Sequence, residues 1–450
     1  MVGRVLYAWV EDALIGAFYE SDGHVDFAYD DSYTGCPISL SLPTSGGWEL
    51  GVPGRFLESR LPEGKGNLRA MERALGADGE SPFDLLPLTD AVGGVSFTET
   101  ELPPSMTPLP LEPCTITELE AHIHDLARQS NESWWPEAKP HARFSLAGSQ
   151  GKFSLAYADG RWYWPSGSMP STHILKPASP RFRESAFIES VSMDLASRAG
   201  AAVASHGMMT FGDESCYVTE RFDRDSSVVP ARRLRTEELF YSLGLADEDK
   251  YGIEVREAVQ LMRGVGLPEE TIYCWAGQVM ANMSVGNCDA HMRNYSVYLD
   301  EDMAMTPLYD VLCTMYWPNL DNAFSIMINE QCMACGDFTP ADWEAEGRAC
   351  GLDADRLSHM AVSIARNAVD SLETVLPALS ARAADRFAAC VISANRGMLG
   401  RGGGAASDVG ARCLTVLPGI EGAEIATEEA IDLDRSELAG GGPKNCDQRV

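Results

Sequence analysis

Gly286-Asn287-Cys288-Asp289-Ala290-His291-Met292-Arg293-Asn294-Tyr295-Ser296, followed by Leu308-Tyr309-Asp310, is the stretch on which the reading of this chain turns. It sets two carboxylates and an amide in a fixed order. Asn294 follows Asp289 by five residues, the apolar run Ser296-Val297-Tyr298-Leu299 comes next, and Asp310 closes the set. Carboxylate and amide oxygens are hard donors that hold Mg²⁺ without gathering excess charge. A carboxylate can also accept the proton of an attacking hydroxyl and orient its oxygen, and a transferring phosphoryl group needs little other covalent help. The same residue types make ordinary polar turns, so the motif takes its meaning from what stands upstream.

Four upstream segments supply that meaning. Phe144-Ser145-Leu146-Ala147-Gly148-Ser149-Gln150-Gly151-Lys152-Phe153 reads as a hairpin over Arg143 to Tyr157, whose glycines let backbone N–H groups approach phosphate oxygens. It lacks the G-K-[ST] opening of a Walker A helix, and a plain β-turn is the alternative. Thr172-His173-Ile174-Leu175 reads as a short strand delivering Lys176 before Pro177. A lysine at the end of an apolar strand costs desolvation unless an anion meets it. Glu189 falls in a helical stretch with Phe187, Val191 and Leu195 at i, i+4 and i+8 and is the candidate partner of Lys176, with Glu184 as a rival. Tyr217 to Phe222 reads as a buried strand ending in charge, and for Asp223 and Arg224 a local ion pair worth little is an equal alternative. Phosphate loop, strand lysine, helix glutamate, hinge, catalytic loop and metal aspartate stand in protein-kinase order.

With S-L-A-G-S-Q-G-K, H-I-L-K-P, E-R-F-D-R, the K-Y near 250, G-N-x-D-A-H-x-x-N-Y-S and the later Y-D in place, the chain resembles the HipA-type serine/threonine kinases of bacterial toxin–antitoxin systems. The resemblance spans most of residues 1–395. It implies an α+β, protein-kinase-like two-lobed fold with a small β-rich N-terminal subdomain and a mostly helical C-terminal lobe. It implies ATP and Mg²⁺ as cofactors. Ala147, Gly148, Ser149, Gln150, Gly151, Lys152 and Lys176 would hold the phosphates, with Glu189 paired to Lys176. Glu220 and Phe222 would neighbour the base, Asp289 would be the catalytic carboxylate, and Asn294 and Asp310 the metal ligands. His291 is placed in the catalytic set, as a base or as a hydrogen-bonding or phosphate-contacting group. Arg293 stands where the family usually has lysine, a change of reach and geometry. Ser145 matches an autophosphorylated serine; a solvent-facing strand serine is the alternative. The resemblance further implies a protein substrate, typically an aminoacyl-tRNA synthetase or another translation factor, and a small DNA-binding antitoxin as partner.

The rest of the chain bounds these expectations. Its 450 residues allow two or three domains, and 45% hydrophobic content fits a globular core. Thirty-five basic against 66 acidic residues give a net charge of −31, which argues against broad nucleic-acid binding. No run reaches the roughly 18 apolar residues of a membrane helix, and the N-terminal apolar run is cut by Glu11-Asp12, so a cytoplasmic protein is expected. Twelve cysteines form no framework, and Cys332 and Cys335 lack the further ligands of a zinc site. The divisions are 1–100, a β-rich subdomain whose Val92-Gly93-Gly94-Val95 reads as structural; 101–115, a linker with Pro103-Pro104, Pro108, Pro110 and Pro113; 116–235, the nucleotide lobe; 236–400, the helical lobe; and 401–450, a Gly-rich acidic tail read as disordered. Two rival functions share the residues: a catalytically silent kinase-fold binding module, and a small-molecule phosphotransferase.

Overall fold

The structure is a computed structural model that describes residues 3–62, 64–104, 111–128, 151–166, 169–179, 182, 184–245 and 250–400. Ser145 and the 147–150 part of the glycine-rich loop lie outside the described residues, as does the 401–450 tail.

The N-terminal unit is an antiparallel sheet in the order β3-β2-β1-β4, from β1 (Arg4–Val10), β2 (Ala13–Ser21), β3 (His24–Tyr29) and β4 (Ser96–Thr98). Asp22 and Gly23, both at positive φ, make the two-residue turn between β2 and β3, the geometry that a right-twisted hairpin favours. Three short helices, α1 (Val52–Glu58), α2 (Lys65–Leu75) and α3 (Pro82–Leu85), cover the sheet. Leu6, Ile15, Phe18, Phe56, Leu57, Met71, Phe83 and Phe97 form its core.

The second unit is a six-stranded antiparallel sheet in the order β5-β7-β6-β8-β10-β9. Its strands are β5 (Glu112–Pro113), β6 (Phe153–Ala158), β7 (Arg161–Trp164), β8 (His173–Pro177), β9 (His206–Phe211) and β10 (Glu214–Glu220). The described end of the proline-rich segment thus joins the sheet as an edge strand, where Pro113 costs no ladder bond. Helix α4 (Ile116–Arg128) covers one face through Leu119, Ile123 and Leu126. Helix α5 (Ser185–Ala199) lies between this sheet and the C-terminal helices. It is buried on nearly every side, so the single apolar stripe expected from the sequence does not describe it: Phe187 is 36% exposed while Ala186, Ile188 and Met193 are buried.

Two short ribbons join the lobes: β11 (Arg224–Asp225) with β12 (Arg232–Arg233), and β13 (Thr236–Glu238) with β14 (Ser296–Tyr298). The C-terminal lobe is helical, with α6 (Leu239–Ser242), α7 (Val255–Gly264), α8 (Glu269–Val285), α9 (Pro340–Cys350), α10 (Ala354–Asp370), α11 (Leu372–Val375) and α12 (Ala381–Ala394). Trp275, Val279, Trp343, Leu357 and Phe387 are among its core residues. Among the described residues no helix is long and apolar enough to cross a membrane.

The N-terminal unit is fastened to the rest by buried charge, and here the local ion pair expected of Asp223 and Arg224 is corrected. Asp223 takes both Arg221 Nε (2.9 Å) and Nη2 (2.7 Å), Arg224 Nη1 (2.7 Å) and the Gly93 N–H (3.2 Å). Asp90 accepts from the Ser171 N–H (2.8 Å) and hydroxyl (2.6 Å), Arg224 Nη2 (3.2 Å) and Arg233 Nη2 (3.0 Å). Asp90, Arg221, Asp223 and Arg224 are all buried. Gly93 and Gly94 allow this docking: both have positive φ, and a Cβ on Gly94 would lie 2.3 Å from the Leu234 carbonyl oxygen. Gly94→Ala is therefore expected to destabilise the protein by about 2 kcal/mol or more, from left-handed strain plus the clash, read as a lowered urea midpoint.

Candidate active site

The site forms where β8, α5 and the two loops after α8 converge. Strand alternation puts Leu175 into the core under α4 and turns Lys176 to the opposite face. There the Lys176 ammonium donates to Glu189 Oε1 at 2.7 Å and to Asp310 Oδ1. Lys176 and Glu189 are nearly inaccessible, whereas the Asp310 side chain is 40% exposed to the cleft. Glu184, the other candidate partner, instead accepts the Tyr316 hydroxyl at 2.7 Å. Burial works against the Lys176 charge, but Asp310 and Glu189 outweigh it and hold the ammonium above its usual range. Burial likewise opposes the Asp310 charge, and Lys176 and Lys152 hold that carboxyl below its usual range. Lys152, at the mouth of β6, is close enough to Asp310, Lys176, Glu189 and Glu238 to feel their charges. Two cations thus face one exposed carboxylate.

The catalytic loop begins at Gly286, which ends α8 at φ 83°, the left-handed cap that glycine favours. Asn287 follows; its amide donates to Asn282 Oδ1 (2.8 Å) and reaches the Asp310 carbonyl (3.4 Å), joining the two loops. The Cys288 N–H is held by the Thr314 hydroxyl (2.8 Å) and its carbonyl by the Ser325 N–H (3.0 Å). These anchors fix the backbone on which Asp289 stands exposed. The Asp289 carbonyl accepts from the His291 N–H (2.9 Å) and the Asn294 amide (3.4 Å), so the Asn294 amide oxygen is the atom left for a cation. Asp310 has φ 53°, a left-handed conformation uncommon outside glycine that Asp and Asn tolerate best.

The remaining candidates fall in different surroundings. His291 packs edge-on to Tyr251 at 5.3 Å. Burial and the nearby Lys250 push its imidazole down to about 3, so it is neutral near pH 7 and adds no positive charge. Arg293 is buried, with Nε 2.8 Å from Glu238 Oε2 and its guanidinium over the Tyr241 ring at 5.1 Å. Phe222 stacks on Tyr309 at 5.0 Å beside Asp310, and its carbonyl accepts the Tyr298 hydroxyl (3.2 Å). Glu220 turns its side chain outward, 3.9 Å from His173 Nε2, while its N–H bonds the Ser205 carbonyl (2.8 Å). Gly151 packs against Leu126. Sequence reasoning missed the supporting roles of Asn287, Glu238 and Tyr309. Asn287 and Tyr309 carried a signal, since both stand in the two stretches that were read first, Asn287 two residues before Asp289 and Tyr309 next to Asp310.

The sheet lobe, the helical lobe and a buried lysine–glutamate pair bonded directly to an aspartate of the helical lobe define the protein-kinase-like class. The family described as the HipA-like C-terminal domain matches residues 144–372, and the chain belongs to it. The protein named "Putative kinase Y4mE" of Sinorhizobium fredii is 28% identical over 394 residues, covering 84% of this chain and 93% of that one. The serine/threonine-protein kinase toxin HipA of Shewanella oneidensis is 27% identical over 333 residues, 68% of this chain and 73% of that one. The solved complex of Shewanella oneidensis MR-1 HipA with HipB and operator DNA contains a chain similar in fold, with a TM-score of 0.71 at 22% identity, covering 88% of this chain and 97% of that one. The protein is a kinase of this family.

Proposed function

We propose that the chain transfers the γ-phosphate of ATP, with Mg²⁺, to a serine or threonine hydroxyl of a protein. The observation that carries the proposal is Lys176, held between buried Glu189 and cleft-facing Asp310. In this reading Lys152, Lys176 and the 147–151 loop bind the phosphates, while Glu220 and Phe222 lie at the base. Asp289 accepts and orients the acceptor hydroxyl, and neutral His291 packs behind it. Asn294 and Asp310 hold the metal ion, which when bound neutralises phosphate charge. The donor set fits Mg²⁺, which takes one or two carboxylates and fills its shell with phosphates and water. Among the described residues no three His, Cys, Asp or Glu side chains gather into a metal site, so a metal ion here would depend on the nucleotide for its other ligands.

The substrate suggested by the family is an aminoacyl-tRNA synthetase or another translation factor. A small DNA-binding antitoxin is the suggested partner, as HipB accompanies HipA in the Shewanella complex. Ser145 is the proposed site of self-phosphorylation, where a phosphate would add roughly −1.5 to −2 charges beside the nucleotide loop. The test is incubation of the full chain with labelled ATP and Mg²⁺. The protein is expected to label itself at Ser145, and Asp289→Ala to slow labelling by about 10²–10⁴-fold. Absence of both labelling and ATP consumption in the unaltered chain would refute the proposal.

A further inference from the structure

We propose that Cys288 and Cys335 are an oxidation site, closing into a reversible disulfide that displaces the catalytic loop and slows phosphotransfer. Cys288 immediately precedes Asp289, and its Sγ lies 3.4 Å from Cys335 Sγ, 47 residues away in sequence. Both side chains are buried. The loss of activity rests on the kinase reading; formation of the bond does not.

The geometry favours closure and makes it consequential. A disulfide has an S–S length of about 2.05 Å, so the sulfurs must approach by more than an ångström from 3.4 Å. The backbone on both sides is held in place. Cys335 opens a short turn, Cys335–Asp337, whose Gly336 is wedged against α12: a Cβ there would meet the Ser393 carbonyl oxygen at 2.1 Å. The Gly336 carbonyl also holds the Gly397 N–H at 3.0 Å. On the other side Cys288 is pinned to Thr314 and Ser325, so a pull on its side chain is transmitted to the backbone of Asp289.

The chemistry balances with a peroxide as oxidant. The Cys288 sulfur attacks one peroxide oxygen, the O–O bond breaks, and a sulfenic acid and one water form. The Cys335 sulfur then attacks the sulfenic sulfur, the S–O bond breaks, and the hydroxyl leaves as the second water with the Cys335 thiol proton. Two thiols lose two electrons and hydrogen peroxide becomes two waters. The hydrogen bond between the thiols lowers Cys288 and raises Cys335 from their ordinary values, which suits Cys288 as attacker and Cys335 as resolver. Cys335 also lines a small cavity with Met280, Met283, Trp343 and Asn395, with room for a molecule about the size of water.

The experiment treats the full chain with hydrogen peroxide, alkylates the remaining thiols, maps cross-linked peptides, and measures phosphotransfer before and after dithiothreitol. A Cys288–Cys335 cross-link is expected, with activity falling by about 100-fold, the cost of an ångström-scale misplacement, and returning on reduction. Cys335→Ser should keep basal activity and lose both cross-link and sensitivity. A second thiol pair, Cys313 with Cys390, supplies the competing result. A cross-link confined to that pair, or equal inactivation of Cys335→Ser, would overturn the proposal. Mapping the cross-link in the unaltered chain decides the bond even if the variant fails to fold or the chain shows no kinase activity.

Discussion

Asp310→Asn is expected to lower phosphotransfer by at least about 10²–10³-fold while lowering the urea midpoint less than Lys176→Ala does. Asparagine keeps the left-handed backbone at this position and fills the same space, but it removes the charge that faces the cleft. Lys176 remains paired with Glu189 at 2.7 Å, so its buried charge keeps a partner. Lys176→Ala should behave differently. It leaves Glu189 buried beside Asp310 with its own cation gone, a loss that costs about 3–5 kcal/mol for a broken buried pair, so stability and activity fall together. Labelled-phosphate transfer and urea unfolding of the two variants separate these cases. Wild-type transfer by Asp310→Asn would remove Asp310 from the proposed metal site.

Asp90→Ala should be the most destabilising change away from the cleft, by about 3–5 kcal/mol. The carboxylate meets Arg224, Arg233 and Ser171 at 3.2 Å or less. Removing it leaves Arg224 buried with only Asp223 as counter-charge. Burial opposes ionisation of both aspartates, yet the surrounding arginines hold both carboxyls below the ordinary 3.8. Groups depressed in the folded state stabilise it above their unfolded value and lose that contribution as the pH falls through the folded one. Wild-type stability should therefore decline below about pH 4, and the decline should be shallower in Asp90→Ala. A variant as stable as wild type at pH 7 would show that the network contributes nothing.

The sequence made the cleft legible because its chemistry is written in residues that are costly elsewhere. A lysine ending an apolar strand and a glutamate inside a helix call for partners, and the structure brings Lys176 and Glu189 together with Asp310. It leaves Glu184 with Tyr316. Other features were hidden for physical reasons. Asp90 sits in an unremarkable Leu-Thr-Asp-Ala stretch, and its partners Arg224 and Arg233 lie 134 and 143 residues away, so no local spacing announces the network. Arg293 was recognisable as a departure from lysine, but its diversion to Glu238 depends on β13 lying alongside β14, a pairing set by the tertiary fold. Phe187 was assigned to an apolar stripe because periodicity assumes one buried face, and α5 has neighbours on several.

The charge network also bears on where this protein can be cut. The family match begins at residue 144, yet a fragment starting there would retain Arg221, Arg224 and Arg233 and discard Asp90 and Gly93. Arg224 and Arg233 would then lose Asp90, and Asp223 would remain for Arg221 and Arg224. A fragment beginning at residue 144 is therefore expected to unfold at a lower urea concentration than the full chain, because it keeps buried arginines without Asp90.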